Sequence, residues 1–524
     1  MRNAERSAGA DVATGKRYRK FDHTLIERDE ELARLEQLFD DSLRSEGSIA
    51  VVSGAVASGK TELLNAFTGK VNAAGATVLD AAGSHAEHDQ PLGVLSQLFR
   101  SPPLPPTDHE HMARLFPGGM LIRGPDAVLT ASGQLPTRMI QDLWAVLDAL
   151  SQRVPVVISI DDIQFGDGAS LRCLLYFGSQ LRSSRVLMVV TESTSHAGMD
   201  ASQAAWHTDL LRQPHCHRIR LAPLSREGVA ELLSAQFGRP ASTLPAARWH
   251  EISGGNPLLL QALIEDYHDS TDGSPARLVE SLAGTAFGRA VLTCLHRGDP
   301  GLLRIARGLA ILDGSGSRSL LRRLIDADEP STDRFLEVLN NTGLLDAGRF
   351  RHPAARSAVL AEISPDDRSR MHRRAARLLH GDGGSSEKVA LHLVAARHAG
   401  EACARQVLRE AAEQALQQDR LPFAAECLRL ASPACTDDEE RAAVALLRAR
   451  VESASGDRST LTAAERQAAA LAASGHTNRQ IAQKLHITVS TVEQHLTRAY
   501  RKLHVNGRAD LQRSFSQTIR QDYG

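Results

Sequence analysis

Residues 54–61 read Gly-Ala-Val-Ala-Ser-Gly-Lys-Thr, a G-x-x-x-x-G-K-T spacing that suits the binding of a nucleoside triphosphate. Glycines allow the backbone to curl around phosphate oxygens, and the N–H groups at the start of a following helix supply positive potential. The ammonium of Lys60 can reach the β- and γ-phosphates, and the hydroxyl of Thr61 can bind Mg²⁺. The sequence therefore predicts a site for ATP and Mg²⁺. Its predicted nucleotide-binding residues are Gly54, Ser58, Gly59, Lys60 and Thr61.

Two adjacent carboxylates, Asp161 and Asp162, supply the second half of this chemistry. They follow an apolar run at residues 154–160, which is typical of a central parallel strand buried on both faces. At the end of that strand Asp161 is predicted to bind Mg²⁺, and Asp162 is predicted to act catalytically by orienting or deprotonating the attacking water. Two aspartates after a strand also occur as a turn or a helix cap. The phosphate-binding motif upstream favours the metal site.

The C-terminal region has residues that suit a different kind of chemistry, the binding of double-stranded DNA. Residues 461–508 contain seven basic and two acidic residues, a local charge of +5, whereas the whole chain has a net charge of −1. Two predicted helices at residues 478–485 and 489–503, joined by a short turn, have helix-turn-helix spacing. A helical bundle without DNA contact is the alternative. The residues predicted to contact DNA are Asn478, Ser490, Thr491, Gln494, Thr497, Arg498, Arg501 and Lys502.

The second predicted helix of this pair has two distinct faces. At about 100° per residue, Val492, Leu496, Ala499 and Leu503 fall on one face, and Gln494 and its polar neighbours fall on the opposite face. We expect the apolar face to pack inward and the polar face to enter a groove of DNA.

The nucleotide motifs need a parallel sheet to bring them together, and the surrounding sequence predicts one. A β-branched run precedes the phosphate motif, and residues 62–67 form the first turns of a helix. An alternation of strands and helices along a chain is typical of an α/β fold with a parallel sheet. The predicted strands are residues 49–52, 76–79, 154–160 and 186–191, and the predicted intervening helices are residues 90–100 and 137–152.

Length and composition set the limits of this interpretation. A chain of 524 residues exceeds the size of one hydrophobic core, so we expect several domains. Its six cysteines form no C-x-x-C pair, which fits a reduced cytoplasmic compartment. No apolar run is long enough to cross a bilayer, and the first twenty residues lack an apolar signal core. We therefore predict a cytoplasmic location without a membrane partner.

The order of the motifs resembles the STAND class of P-loop ATPases. Residues 25–28, Leu-Ile-Glu-Arg, resemble the entry motif of that class, which implies that Arg28 lies near the adenine. Residues 161–164, Asp-Asp-Ile-Gln, together with Asp167, resemble its extended metal-binding motif. Residues 254–259, Gly-Gly-Asn-Pro-Leu-Leu, resemble the motif of its helical lid, which implies that Pro257 approaches the nucleotide. A turn before a helix is the alternative for this last segment.

Two residues depart from that family pattern. Glu27 stands where the entry motif usually has glycine, and Glu192-Ser193 stand where many members have an arginine that senses the γ-phosphate. Without that arginine we expect, at most, slow hydrolysis of ATP as a regulatory switch.

The chain after the lid is predicted to be mostly helical, with winged-helix-like and tetratricopeptide-like segments that resemble those of the same class. The predicted fold class is therefore a multidomain protein: an α/β P-loop NTPase with a helical lid, further helical segments and a C-terminal all-α domain. The predicted boundaries are a disordered arm (1–22), the ATPase core (23–215), the lid (216–280), a winged-helix-like domain (281–380), a tetratricopeptide-like segment (381–452), a linker (453–459) and a helix-turn-helix domain (460–524).

The C-terminal domain resembles the LuxR-type helix-turn-helix family. Glu493 departs from the family pattern, in which many members have lysine, so its sequence preference is expected to differ. The matching residues are Leu461, Thr462, Glu465, Gly475, Asn478, Ile481, Ala482, Leu485, Thr491, Val492, His495, Lys502, Leu503, Val505 and Arg508.

Together the two resemblances identify the chain as similar to the large ATP-binding LuxR-type regulators, of which it would be a short member. This resemblance implies a transcriptional activator that binds operator DNA, assembles into a homo-oligomer in a nucleotide-dependent way and contacts RNA polymerase. It also implies control of a secondary-metabolite gene cluster. The alternative is a P-loop ATPase or phosphotransferase whose C-terminal tail docks a protein. Such an enzyme needs an acceptor pocket with convergent polar groups, and none is evident in the sequence.

Overall fold

The structure is a computed structural model, and it describes most of the chain. The predicted N-terminal arm lies outside the described residues. The described residues are 25–84, 91–100, 135–194, 201–238, 240, 245–269, 286–314, 316–399, 402–435, 437–459, 463–502 and 507–508.

The chain divides into two compact units. The first comprises residues 1–314 and 325–362, and the second comprises residues 315–324 and 363–524. In the part of the chain that the structure describes, no helix is long and apolar enough to span a bilayer.

A sheet of five parallel strands forms the centre of the first unit, in the order β2-β3-β4-β1-β5. Strand β4 lies between β1 and β3, so the strands that carry the phosphate motif and the paired aspartates are not neighbours. This sheet confirms the predicted α/β P-loop fold. The strands are β1 (Ser48–Gly54), β2 (Thr77–Ala82), β3 (Val156–Asp161), β4 (Val186–Ser193) and β5 (Cys216–Leu221).

Strand β5 is the one strand of this sheet that the sequence analysis did not predict. It pairs in parallel with β1 at the edge of the sheet, and it contains His217, Arg218 and Arg220. These polar residues break up the apolar run that marks the central strands. Because β5 belongs to the sheet, the sheet extends beyond residue 215, where the ATPase core was predicted to end.

Helices cover both faces of the sheet. On β4, Leu187 and Val189 face a core shared with α1 and α2, whereas Met188 and Val190 face a core shared with α4 and α5. Full burial of such a side chain stabilises the fold by about 1.5–3 kcal/mol. The helices are α1 (Asp29–Leu43), α2 (Lys60–Ala73), α3 (Gly93–Leu98), α4 (Thr137–Ser151), α5 (Gly168–Gln180) and α6 (Ala201–Leu211).

Among the described residues, the remaining regular elements of the first unit are helices and one short antiparallel hairpin, β6 (Leu345–Asp346) and β7 (Arg349–Phe350). The helices that follow β5 are α7 (Arg226–Phe237), α8 (Ala246–Ser253), α9 (Pro257–Asp269), α10 (Ala286–His296), α11 (Pro300–Leu312), α12 (Arg318–Ile325), which falls mostly in the second unit, α13 (Glu329–Asn341) and α14 (Pro353–Glu362).

Glycines permit close backbone approaches around the segment between α8 and α9. A Cβ on Gly255 would lie 2.2 Å from the carbonyl oxygen of Leu224, and a Cβ on Gly343 would lie 2.3 Å from that of Ser253. Both glycines have positive φ angles, +74° and +77°. The loop after β5, the lid motif and the loop after α13 therefore pack backbone against backbone.

The second unit is all-helical in the residues that the structure describes. Helix α19 extends to Ser459, so the backbone at residues 453–459 is helical where the composition predicted a linker. The helices, besides most of α12, are α15 (Pro365–Gly381), α16 (Ser386–Ala396), α17 (Ala402–Gln417), α18 (Leu421–Ala431), α19 (Asp438–Ser459), α20 (Ala463–Ala473), α21 (Asn478–Leu485) and α22 (Val489–Lys502).

Helices α20, α21 and α22 form the C-terminal helix-turn-helix domain that the sequence predicted. Ile481, Val492 and Leu496 pack with alanines of α20 in a small core. A capping box, in which Thr477 and Gln480 each bond to the other's backbone, starts α21. Thr462 and Glu465 also have the spacing of a capping box at the start of α20, but Thr462 lies outside the described residues.

We predict that Gly255→Ala destabilises the first unit because the added methyl group collides with the backbone at Leu224. Gly75→Ala is the matched control, since Gly75 also has a positive φ (+91°) but has open space around it. The control should lose about 1–2 kcal/mol from its left-handed conformation alone, and Gly255→Ala should lose clearly more. Urea unfolding followed by circular dichroism measures both changes; equal losses would contradict the packing described for Gly255.

Candidate functional site

The phosphate loop joins the end of β1 to the start of α2. A Cβ on Gly54 would lie 2.5 Å from the hydroxyl oxygen of Ser58, so a larger residue there would push into the loop. Gly59, directly before α2, has φ of +92°, and this left-handed conformation favours glycine. The loop therefore has the curled backbone and helix N-terminus that suit an anion.

Lys60 lies inside this loop and is buried. Its ammonium donates hydrogen bonds to the carbonyl oxygens of Gly54 and Ala55, at 3.2 and 2.8 Å. Burial lowers the pKa of Lys60 from its ordinary value, while the nearby carboxylates, Asp162 and Asp161 foremost, act in the opposite direction. A phosphate group would supply further anionic partners for this ammonium.

Thr61 and Asp161 bring together two oxygen atoms of the kind that coordinate Mg²⁺. The Thr61 hydroxyl donates to Asp161 Oδ2 at 2.7 Å. Two adjacent ligands of an octahedral Mg²⁺, each about 2.0–2.1 Å from the ion, lie about 2.9 Å apart. The observed oxygen pair is therefore spaced for neighbouring positions on one ion. The residues fit the metal that the sequence analysis predicted.

Thr191, at the end of β4, holds both aspartates in place, and the sequence analysis missed it. Its hydroxyl donates to the second oxygen of Asp161 and accepts from the backbone N–H of Asp162 at 2.8 Å. Thr191 is fully buried. The sequence signal that could have identified Thr191 is a polar residue directly after the apolar run 186–190.

Asp162 is oriented by Gln164 of the same motif. The Gln164 amide donates to Asp162 Oδ1 at 2.9 Å, and its oxygen accepts from the backbone N–H of Ser193 at 3.1 Å. Asp162 itself has a positive φ of 49°, which turns the chain sharply after β3. The carboxylate is thus tied through Gln164 to the end of β4.

Asp167 has a different role from the two aspartates before it. It is buried, and its carboxylate accepts hydrogen bonds from three backbone N–H groups: those of Leu92 and Ser170 at 2.8 and 2.9 Å, and that of Val94 at 3.4 Å. These groups lie at the starts of α3 and α5. In this structure Asp167 joins two helix N-termini, although the motif resemblance groups it with a metal site.

Arg28 connects the entry segment to two other parts of the first unit. Its buried guanidinium donates to the carbonyl oxygens of Ser58 at 3.3 Å and Ala222 at 2.6 Å. It also donates to the carbonyl oxygen of Glu27 at 2.8 Å. Arg28 therefore lies against the phosphate loop, where its charge and position fit the predicted nucleotide site.

The backbone conformation of Glu27 shows why glycine is usual at this position, and its side chain forms a contact that glycine cannot. It has φ of +52°, a left-handed conformation that favours glycine. Its carboxylate accepts from both the N–H and the hydroxyl of Ser225, the cap residue of α7. Burial alone would raise the pKa of Glu27, but hydrogen bonds from Ser225 and Gly228 and the charge of Arg28 outweigh it and lower the pKa. Glutamate in place of glycine therefore forms a contact with α7, in the predicted lid.

Asn256, in the lid motif, contacts the phosphate loop directly. Its amide nitrogen donates to the carbonyl oxygens of Val56 at 3.1 Å and Thr342 at 2.9 Å. Its side-chain oxygen accepts from the N–H groups of Leu258 and Leu259 and so caps α9, of which Pro257 is the first residue. One buried amide thus joins three segments of the first unit.

Glu192 occupies the position where the family pattern often has an arginine. It is buried at the end of β4, and its carboxylate lies 2.8 Å from Nε2 of His207 on α6. An acidic side chain in this place supplies no positive charge for a γ-phosphate.

In the C-terminal domain, helix α22 presents the predicted polar face to solvent. Ser490, Gln494, Thr497 and Arg498 are exposed, and Thr491 is half-buried. The Thr497 hydroxyl donates to the carbonyl oxygen of Glu493 at 2.8 Å, which leaves its lone pairs directed outward as acceptors. Arg501 and Lys502 belong to α22, but their side chains lie outside the described set.

Asn478, at the first position of α21, is already engaged within the domain. Its side-chain oxygen accepts from Arg508 at 2.9 Å, so its amide nitrogen is the group left to reach a partner. Thr491 shares a hydrogen bond of 2.7 Å with Thr488, which caps α22.

The sheet order, the phosphate loop and the Thr61–Asp161 pair define a P-loop ATPase fold. In agreement, residues 24–190 match the family model described as AAA ATPase domain. Residues 459–515 match the model described as bacterial regulatory proteins, luxR family. The chain thus joins an AAA ATPase domain to a C-terminal LuxR-family domain, the combination expected of an ATP-binding LuxR-type regulator. Among curated proteins none matches this chain.

Two solved structures show distant similarity to this chain. A STAND protein with a tetratricopeptide repeat sensor from Pyrococcus horikoshii is 13% identical over 92% of this chain and 63% of its own, with a TM-score of 0.30. The Aeropyrum pernix Orc1 protein in complex with DNA is 15% identical over 65% of this chain and 94% of its own, with a TM-score of 0.36. This chain therefore spans less than two thirds of the length of the first of these proteins.

We predict that Asp167→Ala and Asp161→Ala separate a structural carboxylate from a metal-binding one. Removal of Asp167 leaves buried N–H groups without an acceptor, which should lower the free energy of unfolding by about 2–4 kcal/mol. Asp161→Ala should cost less stability and instead remove the effect of Mg²⁺ on nucleotide binding. Urea unfolding and nucleotide titrations with and without Mg²⁺ measure the two effects. If both variants lose stability and retain the Mg²⁺ effect, the two roles are assigned wrongly.

Proposed function

We propose that this chain is an ATP-binding, DNA-binding transcriptional regulator that acts in the cytoplasm and is switched by nucleotide-dependent assembly. The observation that supports the proposal is that one polypeptide has two chemically different groups of side chains that fit the predicted sites. The first is the phosphate loop with Lys60 beside the Thr61–Asp161 oxygen pair. The second is the exposed polar face of α22 in the C-terminal domain.

In the nucleotide site, Lys60 would neutralise the β- and γ-phosphates, and Thr61 and Asp161 would hold Mg²⁺. Bound Mg²⁺ would neutralise charge on the phosphates. Asp162, oriented by Gln164, would orient or deprotonate a water molecule. We propose that hydrolysis is slow because Glu192 stands where an arginine would stabilise transition-state charge. A slow ATPase suits a switch with a long-lived ATP-bound state.

At the DNA, α22 would act as the recognition helix. A single domain of this kind makes few base contacts, and pairs of helix-turn-helix domains gain affinity from two half-sites about one helical turn apart. We propose that ATP-dependent assembly into a homo-oligomer brings two C-terminal domains together on an operator. Activation through RNA polymerase, and control of a secondary-metabolite gene cluster, are the finer roles that the family resemblance implies. If the isolated C-terminal domain fails to bind DNA, the result would favour the alternative, an ATPase or phosphotransferase whose tail docks a protein.

We predict that Lys60→Ala abolishes ATP binding without unfolding the chain. Lys60 contributes a positive charge to the phosphates and little apolar volume to the core. Lys70→Ala is the matched control, because Lys70 lies on the same helix but is exposed and paired with Glu36. Isothermal titration calorimetry with ATP and Mg²⁺ should show binding by the control and none by Lys60→Ala. Equal affinities would show that the nucleotide binds elsewhere.

We predict that Gln494→Ala and Arg498→Ala affect DNA binding in different ways. Gln494 lies on the exposed face, and its amide can read a base edge. Its loss should weaken base discrimination by about 1–3 kcal/mol with little change in salt dependence. Arg498→Ala should weaken binding to all sequences and reduce the salt slope by about one unit. Salt titrations on operator and mixed-sequence duplexes test both; the reverse pattern would mean that the recognition face is placed wrongly.

A further inference from the structure

Helix α15 in the second unit has four arginines on one side, Arg370, Arg373, Arg374 and Arg377, which we call the arginine stripe. At about 100° per residue they fall within an arc of about 100°. The stripe runs along the helix for about 10 Å. Arg370 and Arg377 are exposed, and Arg373 and Arg374 are half-buried.

The opposite side of α15 contains the buried residues of the helix. His372, Ala375, Ala376 and Leu379 are buried, and they face α16. His372 Nδ1 lies 2.9 Å from His392 Nδ1 on that helix. The orientation of α15 is therefore fixed by its core face, and the stripe is directed away from that core.

The charge of the stripe is not balanced along its own helix. After Asp367, which pairs with Arg370, residues 368–381 contain no acidic residue. Like charges three and four residues apart on a helix repel one another and destabilise it. A surface that serves only solubility normally mixes both signs. Helix α19 shows that mixed pattern, since Arg441 pairs with Asp438 and Arg448 pairs with Glu452.

Helix α12 lies beside the arginine stripe. Arg374 donates to the carbonyl oxygen of Arg323 at 2.6 Å, so the last turn of α12 lies against α15. Arg323 in turn pairs with Asp382 at 2.7 Å. Because Arg374 also satisfies a carbonyl at the end of α12, it has a structural role that Arg373 and Arg377 do not share in the described contacts.

We propose that the arginine stripe is a second, sequence-independent contact with the phosphate backbone of double-stranded DNA. The proposal rests on the DNA-binding function proposed for the C-terminal domain, because a domain that holds DNA raises the effective concentration of phosphates for another site on the chain. Arginines bind phosphate oxygens well. The arc of the stripe contains no apolar side chain to form the core of a protein interface, whereas such interfaces are depleted of charge at their centre.

The test is a salt titration of the full-length chain on a mixed-sequence duplex of about 40 base pairs. The variant is Arg373→Gln/Arg377→Gln, and the matched control is Arg441→Gln/Arg448→Gln, which removes the same charge from exposed but ion-paired arginines. Loss of two phosphate contacts should lower the salt slope by about 1.8 units. Between about 50 and 200 mM salt, the affinity of the variant should therefore fall about tenfold less than that of the wild type. The control should keep the wild-type slope.

Each other result has a definite meaning. If the wild type binds no duplex at about 50 mM salt, the proposed DNA-binding function fails together with this inference. If the wild type binds and the stripe variant has the same slope, only the inference is overturned. A changed oligomeric state in analytical ultracentrifugation with an unchanged slope would assign the stripe to contact between copies of the chain. Loss of binding to poly-L-glutamate with an unchanged slope would assign it to an acidic protein. Thermal unfolding should show that the stripe variant is no less stable than the wild type, because its substitutions remove like-charge repulsion.

Discussion

The predicted nucleotide site depends on how the Asp161 carboxylate is held at the carboxyl-terminal end of β3. One of its oxygens accepts from Thr61 at the start of α2, and the other accepts from Thr191 at the end of β4. A carboxylate with both oxygens engaged has one orientation. Thr191 reaches Asp161 because β4 lies beside β3, between β3 and β1. The strand order therefore determines the orientation of this carboxylate. The parallel direction of the strands brings all three side chains to the same edge.

Polar contacts join the predicted lid to the phosphate loop, and breaking them would cost free energy. Asn256 bonds to the carbonyl of Val56 in the phosphate loop and to that of Thr342 after α13. Because these groups are buried, a shift of the loop would leave polar atoms without partners, at a cost of about 1–3 kcal/mol each. Arg28 and Glu27 make a second connection, to Ala222 and Ser225. The phosphate loop and the predicted lid are therefore coupled by buried hydrogen bonds as well as by packing.

The sequence predicted those parts of the site in which residue type and local order determine the role. Lys60, Thr61 and Asp161 belong to short motifs with distinctive spacing, and the helices from 478 to 485 and from 489 onward have strong apolar periodicity. The roles of Thr191 and Asn256, and the contacts of Asp167 with two helix N-termini, depend on segments far apart in sequence, which a local pattern does not encode. The edge strand β5 was missed because polar residues interrupt its pattern.

Net charge illustrates the same difference between composition and arrangement. A chain with a net charge of −1 has no overall attraction for a polyanion, but charge acts over about a Debye length, roughly 8–10 Å in physiological salt. Within that distance, the sign of neighbouring residues matters more than the total. On α19, Arg441 and Arg448 each have an acidic partner about one turn away, whereas on α15 the residues three or four positions from Arg373, Arg374 and Arg377 include other arginines. The two helices therefore present different fields to solvent, a difference that the net charge of the whole chain does not reveal.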